Sequence, residues 1–280
     1  MKSEEEKGQL IYDDACPLCR AYTKAFVQYD LLKPNQRSSF SNLQPEVLTC
    51  IDVNRARHEI PYVNTSTGIT LYGMDALLAI LEKKTPKLVH ICKKPIIYKI
   101  LQQLYHFISY NRRVITATRQ AVGAFDCSPD FNYLYRILFL CIGILFNTAM
   151  LYIVQSAFMQ ESIFRNVSMP QLQMAHLALV GCNLLCAAML QRKNAIEYLG
   201  QINMLALMTI LLLLPFCIIY QFIPSDMTIW SNVWMGFVFL FIIFEYRRRM
   251  RYTGVIQHHK FVILVNCITV ATFIAFLLFA

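Results

Sequence analysis

Charge is scarce in this sequence. Of 280 residues, 15% are Asp, Glu, Lys or Arg and 56% are apolar. The mean hydropathy of +0.43 is high for a chain that lives wholly in water. Residues 1–8 are charged and hold no apolar run, so a secretory signal is not expected and neither is export of the first domain. The net charge of +9 sits in segments that flank apolar runs, a poor pattern for nucleic-acid binding. Cys16 and Cys19 have no second close pair and no histidine cluster nearby to complete a zinc site, and Cys50 and His58 are poorly spaced for one. The centres of the long apolar runs contain neither carboxylate nor arginine. Their polar residues Asn147, His176, Asn183, Asn203 and Asn266 therefore read as hydrogen-bonding bridges between helices before they read as the lining of a cavity.

What is present is distributed unevenly. Residues 1–85 read as an α/β domain, 86–130 as a basic amphipathic linker lying at a membrane interface, and 131–280 as a membrane domain of about five helices. In the first domain, 9–12 reads as a short strand and 17–32 as a helix stopped before Pro34. Residues 37–40 read as a weak strand and 45–51 as a helix. Two strands follow, at 58–64 and 69–72, around a turn at Gly68, then a helix at 74–84. The order β-α-β-α-β-β-α is that of a thioredoxin fold. The fold class expected is thus a thioredoxin-like α/β domain followed by an all-α transmembrane bundle.

Cys16-Pro17-Leu18-Cys19 stands between the first strand and the first helix. Pro17 suits the first helical position, where its missing N–H is no loss. Free backbone N–H groups and the positive helix end favour a thiolate at Cys16. Cys19, three residues on, can face it and close a disulfide. The expected chemistry is attack by Cys16 on a partner disulfide and resolution by Cys19, so the only cofactor is the redox-active Cys16–Cys19 pair itself. Asp13 and Asp14 oppose the thiolate by like charge, and either is a candidate proton acceptor for Cys19. Pro61 stands at the entrance of the third strand, where thioredoxin-like proteins carry a cis-proline facing the dithiol; a cis bond shaping the partner groove is expected here by that analogy.

The pattern Asp13-x-x-Cys16-x-x-Cys19 after a short apolar strand resembles the DCC family of predicted thiol-disulfide oxidoreductases, over roughly residues 8–85. The later segment Gly68-Ile69-Thr70-Leu71-Tyr72-Gly73-Met74-Asp75-Ala76 is similar to the family's strand, glycine and helix start. The resemblance implies a thioredoxin-type dithiol activity. Asp14 stands where the family usually has glycine and adds a charge beside the nucleophile. Cys-Pro-Leu-Cys is also similar to the Cys-Pro-x-Cys of glutaredoxins, whose glycine before the last helix matches Gly73. Glutathione or a thioredoxin-type reductant is accordingly a candidate partner.

Residues 83–119 carry Lys83, Lys84, Lys87, Lys93, Lys94, Lys99, Arg112, Arg113 and Arg119, with Ile97, Ile100, Leu101, Leu104 and Ile108 at helical spacing. This reads as a helix lying on anionic lipid, against the alternative of a helix packed on the α/β domain. Spans are expected at 134–156, 172–190, 202–223, 229–245 and 261–280. The basic segments Arg192/Lys193 and Arg247–Arg251 alternate with loops of little positive charge, which puts the N-terminal domain in the cytoplasm and the C-terminus at the outer face, in a membrane taken to be a bacterial inner membrane. A dithiol there is mostly reduced and acts on a protein or small-molecule disulfide close to the bilayer. The loops expected outside, 157–171 and 224–228, hold no cysteine, so a thiol relay across the membrane has no visible terminus. The alternative function is a redox-sensing or metal-handling module on a small transporter or receptor.

Overall fold

The structure, a computed structural model, describes residues 8–118, 127–222 and 227–279. Residues 1–7, Arg119 and residues 224–226 of the loop 224–228, which entered the sequence reading, lie outside the described residues. The chain forms two units, 1–135 and 136–280.

In the first unit β1 (Gly8–Tyr12) buries Leu10 toward one face and Ile11 toward the other, because both faces of the sheet are covered. It runs parallel to β2 (Arg37–Ser39) and antiparallel to β3 (Pro61–Asn64), which pairs antiparallel with β4 (Thr70–Tyr72), giving the order β2-β1-β3-β4. The connections are α1 (Pro17–Gln28), α2 (Pro45–Thr49) and α3 (Val53–Ala56), and α4 (Gly73–Glu82) follows β4. Leu10, Leu32, Ile60, Ala76 and Ile80 pack together on one side. Ile11, Phe40, Val47, Ile51, Val63 and Tyr72 pack together on the other. This is the mixed four-stranded thioredoxin-like sheet that the sequence predicts.

Two expectations need correction. The first is the cis bond at Pro61: among the described residues no peptide bond is cis. Pro61 opens an inner strand, where the missing N–H costs no ladder bond. The chain before it is tied on both sides: the Ile60 N–H donates to the Tyr105 hydroxyl (2.8 Å), and Gly73 N–H donates to the Ile60 carbonyl (2.9 Å). The second is the end of the domain. After α5 (Pro86–Cys92), the long α6 (Pro95–Thr116) packs one face on the sheet unit through Tyr105, Ser109, Arg112 and Arg113, so the unit runs well past residue 85. Its opposite face remains exposed.

The remaining chain is helical: α7 (Tyr133–Ile153), prolonged by a π turn and a 3-10 turn to Glu161, then α8 (Met169–Ala188), α9 (Arg192–Phe222), α10 (Thr228–Thr253), the short α11 (Val255–His258) and α12 (Lys260–Phe279). Five of these helices are long and apolar enough to cross a membrane. The sequence places Arg247–Arg251 in a loop; instead α10 carries them to Gly254, whose φ of +81° ends the helix. The arginines stay helical because Glu245, one turn back, receives Arg248 Nη2 (2.6 Å) and Arg249 Nε (2.8 Å). Arg249 also donates to Gln201 Oε1 of α9 (2.6 Å), and Arg136 pairs with Glu197 (3.1 Å). Of the amides expected to bridge helices, Asn183, Asn203 and Asn266 do so, whereas the buried Asn147 Oδ1 has no partner among the described residues. Tyr198 donates to Asn183 (2.5 Å), Asn266 donates to the hydroxyls of Tyr198 (2.8 Å) and Tyr246 (2.9 Å), and Asn203 donates to the Phe139 carbonyl (3.1 Å).

Candidate active site

The site is built where β1 hands over to α1. Cys16 is the N-cap of α1, in extended backbone at φ −96°, and Pro17 takes the first helical position. Its carbonyl accepts the Arg20 N–H (3.0 Å), which begins the helix, and no cap side chain competes with the sulfur for the free amides. Asp13 shapes the approach: its carbonyl accepts Cys16 N–H (3.2 Å) and its Oδ1 accepts Ala15 N–H (3.0 Å). One turn along, the Cys19 carbonyl accepts the Thr23 hydroxyl (2.7 Å), and Thr23 in turn receives Arg37 Nε (2.9 Å). Both cysteines are free thiols, 0% and 4% exposed.

The electrostatics separate the two sulfurs. The Cys16 thiol is drawn down to about 6, chiefly because Cys19 S–H donates to its thiolate. Burial opposes this; the Cys19 backbone N–H and the Arg112 charge add to it, and Asp13 works against it. Cys19 is pushed up, first because its proton serves that hydrogen bond and then by burial. The pair therefore consists of a nucleophile and a protonated partner held ready to donate. Tyr22 lies against Cys19, and its phenol is held protonated by burial and by that sulfur.

Arg112 is the group the sequence reading missed. Its Nη1 lies 3.8 Å from Cys19 Sγ; its Nη2 donates to the Arg57 carbonyl (2.8 Å) and to the Cys127 carbonyl. Arg113 Nη2 donates to Asp13 Oδ2 at 3.0 Å, with Arg112 Nη2 at 3.8 Å from the same oxygen. The repulsion expected from Asp13 is thus largely balanced by two guanidinium groups. Asp14 is turned aside and accepts the Ser41 hydroxyl (2.8 Å). A signal for Arg112 did exist: Tyr105, Ser109 and Arg112 recur at spacings of four and three, on the side of the helix away from Ile96 and Ile100.

Of the four residues assigned from sequence, Cys16, Cys19 and Asp13 lie together, joined by Arg112. Pro61 is buried at the start of β3, next to Ile60, which binds Tyr105 of the same α6. Cys127 is buried, its carbonyl tied to Arg112 and its thiol pushed up to about 12 by burial. His58 pairs with Asp130 (3.3 Å) and stacks near Tyr110, apart from Cys50, whose thiol faces the Glu46 carbonyl. Among the described residues no group of three His, Cys, Asp or Glu could hold a metal ion.

Comparison with curated proteins and with solved structures returns no match for the chain. The family model of the DCC1-like thiol-disulfide oxidoreductases does match, from residue 10, in β1, to residue 118, just beyond α6 and its two arginines. Residues 10–118 of this chain thus carry the pattern of that family and are followed by five helices long and apolar enough to cross a membrane.

Proposed function

We propose that this chain is a membrane-anchored dithiol reductase whose domain faces the cytoplasm. The observation that carries this reading is the low-pKa Cys16 set beside a protonated Cys19 and a buried Arg112. In the reaction the Cys16 thiolate attacks one sulfur of a substrate disulfide. A mixed disulfide forms and the first substrate thiolate leaves. Cys19 then loses its proton, attacks Cys16 Sγ and expels the second substrate thiolate, leaving the Cys16–Cys19 disulfide. Two electrons pass to the substrate, and a glutathione- or thioredoxin-type thiol returns them. Arg112 steadies the negative charge as it moves between the sulfurs. Asp13 anchors the arginine pair; its role as acceptor of the Cys19 proton is what Asp13→Asn tests. Pro61 borders the partner groove in its trans form.

The orientation is supported by charge. Arg192 and Lys193 at the start of α9 and Arg247 and Arg251 at the end of α10 are exposed, and these two helix ends meet through Gln201 and Arg249. The substrate disulfide would accordingly lie close to the cytoplasmic surface of the bilayer.

The test is the alkylation rate of Cys16 against pH in the full chain in nanodiscs, since Arg112 lies beyond any fragment ending near residue 90. Deprotonation creates the nucleophile, so the rate rises with pH and levels off above a midpoint of about 6. Cys16→Ser abolishes turnover of a disulfide substrate. A midpoint at the ~8.5 of an ordinary thiol, or turnover surviving in Cys16→Ser, would sink the reading.

A further inference from the structure

The face of α6 turned away from the dithiol carries Ile96, Ile100, Leu104 and Ile108, 77%, 62%, 52% and 40% exposed. They recur every four residues and so form one continuous apolar stripe. Lone exposed hydrophobes are ordinary, but a stripe of four along three turns marks a surface that is covered by something. Lys94 and Lys99 flank it and Lys87 lies on the preceding α5; all three are exposed and have no carboxylate partner among the described residues. Further lysines nearby are already engaged: Lys93 with Glu82 and Lys84 with Asp30.

One contact says what the cover is. Tyr135, in the first turn of the first apolar span, stacks on Tyr110 of α6 with centroids 4.9 Å apart and planes 9° from parallel. Its carbonyl accepts Asn111 Nδ2 (3.1 Å) and its hydroxyl donates to Gln103 Oε1 (3.2 Å), three residues past Ile100 at the edge of the stripe. Tyr135, in the same unit as α6 and in the first turn of an apolar helix long enough to cross a membrane, is therefore held against α6. We propose that this face of α6 docks on the bilayer surface next to that span, with the stripe in the headgroup–acyl boundary and Lys87, Lys94 and Lys99 on acidic phospholipid headgroups. The same helix then touches lipid with one face and the dithiol, through Arg112, with the other.

The test places an environment-sensitive fluorescent amino acid at position 100 in the full chain, one copy per nanodisc, with quencher-labelled lipids. A control carries it at Glu46, exposed on α2. With acidic lipid about half of the emission at position 100 is lost, as for an apolar face sunk roughly 5–10 Å into the boundary, and little at position 46. Raised salt or zwitterionic lipid reduces the quenching, and Ile96→Glu with Leu104→Glu removes it. Equal quenching at the two positions, none at position 100, or quenching indifferent to lipid charge and salt each overturns the proposal. The pH midpoint of Cys16 alkylation is read on the same samples, so failure of docking is distinguishable from failure of the dithiol reading.

Discussion

Each unit buries arginine, and each balances it differently. In the helical unit Arg136 is matched by Glu197 and the buried Arg249 by Glu245, whose second arginine, Arg248, is half-exposed, and Gln201 completes the contact between α9 and α10. Charge there is closed upon itself and holds helices together. In the sheet unit, among the described residues, Arg112 and Arg113 face one buried carboxylate, Asp13. Burying an unmatched charge is costly. The surplus points at Cys19 and Cys16, where a thiolate supplies the missing negative charge. The difference separates a structural ion pair from a reactive site: the first is complete as it stands, the second is completed by its own nucleophile.

The largest effect is expected from Asp13→Ala. It leaves two buried guanidinium groups facing each other and costs about 3–5 kcal/mol of stability in the sheet unit. Pulsed alkylation of the buried Cys127 across a urea series reads this directly, and the midpoint should move to clearly lower urea. An unchanged midpoint would mean that the thiols alone balance the arginines. The counterpart in the helices is Arg249→Met. Alone it leaves Glu245 to Arg248 and Gln201 Oε1 without the Arg249 donor, at about 1–3 kcal/mol; combined with Glu245→Gln most of the loss is recovered, because Arg248 is half-exposed and a buried ion pair is replaceable by groups of similar volume. Thermal unfolding in detergent measures both. No such rescue is expected in the sheet unit, since no neutral pair can replace what Arg112 does for sulfur.

Arg112→Met sharpens that point at smaller cost. Removing the guanidinium raises the Cys16 pKa above about 6, so the alkylation profile moves to higher pH; for a shift of roughly one unit the thiolate falls about twofold at pH 7 and about tenfold well below the midpoint. The midpoint is the proper readout, because the same change opens the cover over a buried thiol and alters the absolute rate. Arg112→Lys keeps the charge but cannot span from Cys19 to the carbonyls of Arg57 and Cys127, and falls between the two.

The sheet and the dithiol were legible because their signals are local. The alternation around Leu10 and Ile11, the Pro17 helix start and the Cys-x-x-Cys spacing each lie within one element. Arg112 was not, because it lies 93 residues beyond Cys19 and its meaning depends on which face of α6 meets the sheet. The same helix offers an exposed apolar stripe, and the sequence reading set a helix on lipid against a helix packed on the α/β domain as alternatives. The structure divides it: Tyr105, Ser109 and Arg112 turn to the sheet, while Ile100 and Leu104 do not. The extent of α10 was obscured in a related way. A run of four arginines in five residues looks like a loop at a membrane edge until Glu245 and Gln201 are seen to take up Arg248 and Arg249.

The smallest effects concern two glycines that the units need for different reasons. Gly73 opens α4 directly after β4 at φ +57°, and a Cβ there would meet Glu59 and Tyr105 at 3.2 Å. Gly73→Ala is strained by its backbone conformation, at about 1–2 kcal/mol, and presses on the Tyr105 that holds the Ile60 N–H. Gly143 of α7 has no such conformation; a Cβ would instead strike the Asn203 amide at 2.1 Å. Asn203 can turn away, at the loss of its bond to the Phe139 carbonyl, so Gly143→Ala costs about 0.5–1.5 kcal/mol. The two variants are separable by a second change. Asn203→Ala removes the obstacle and makes Gly143→Ala nearly silent in a double-mutant cycle, whereas no change in a neighbour relieves Gly73→Ala, whose penalty lies in its own φ.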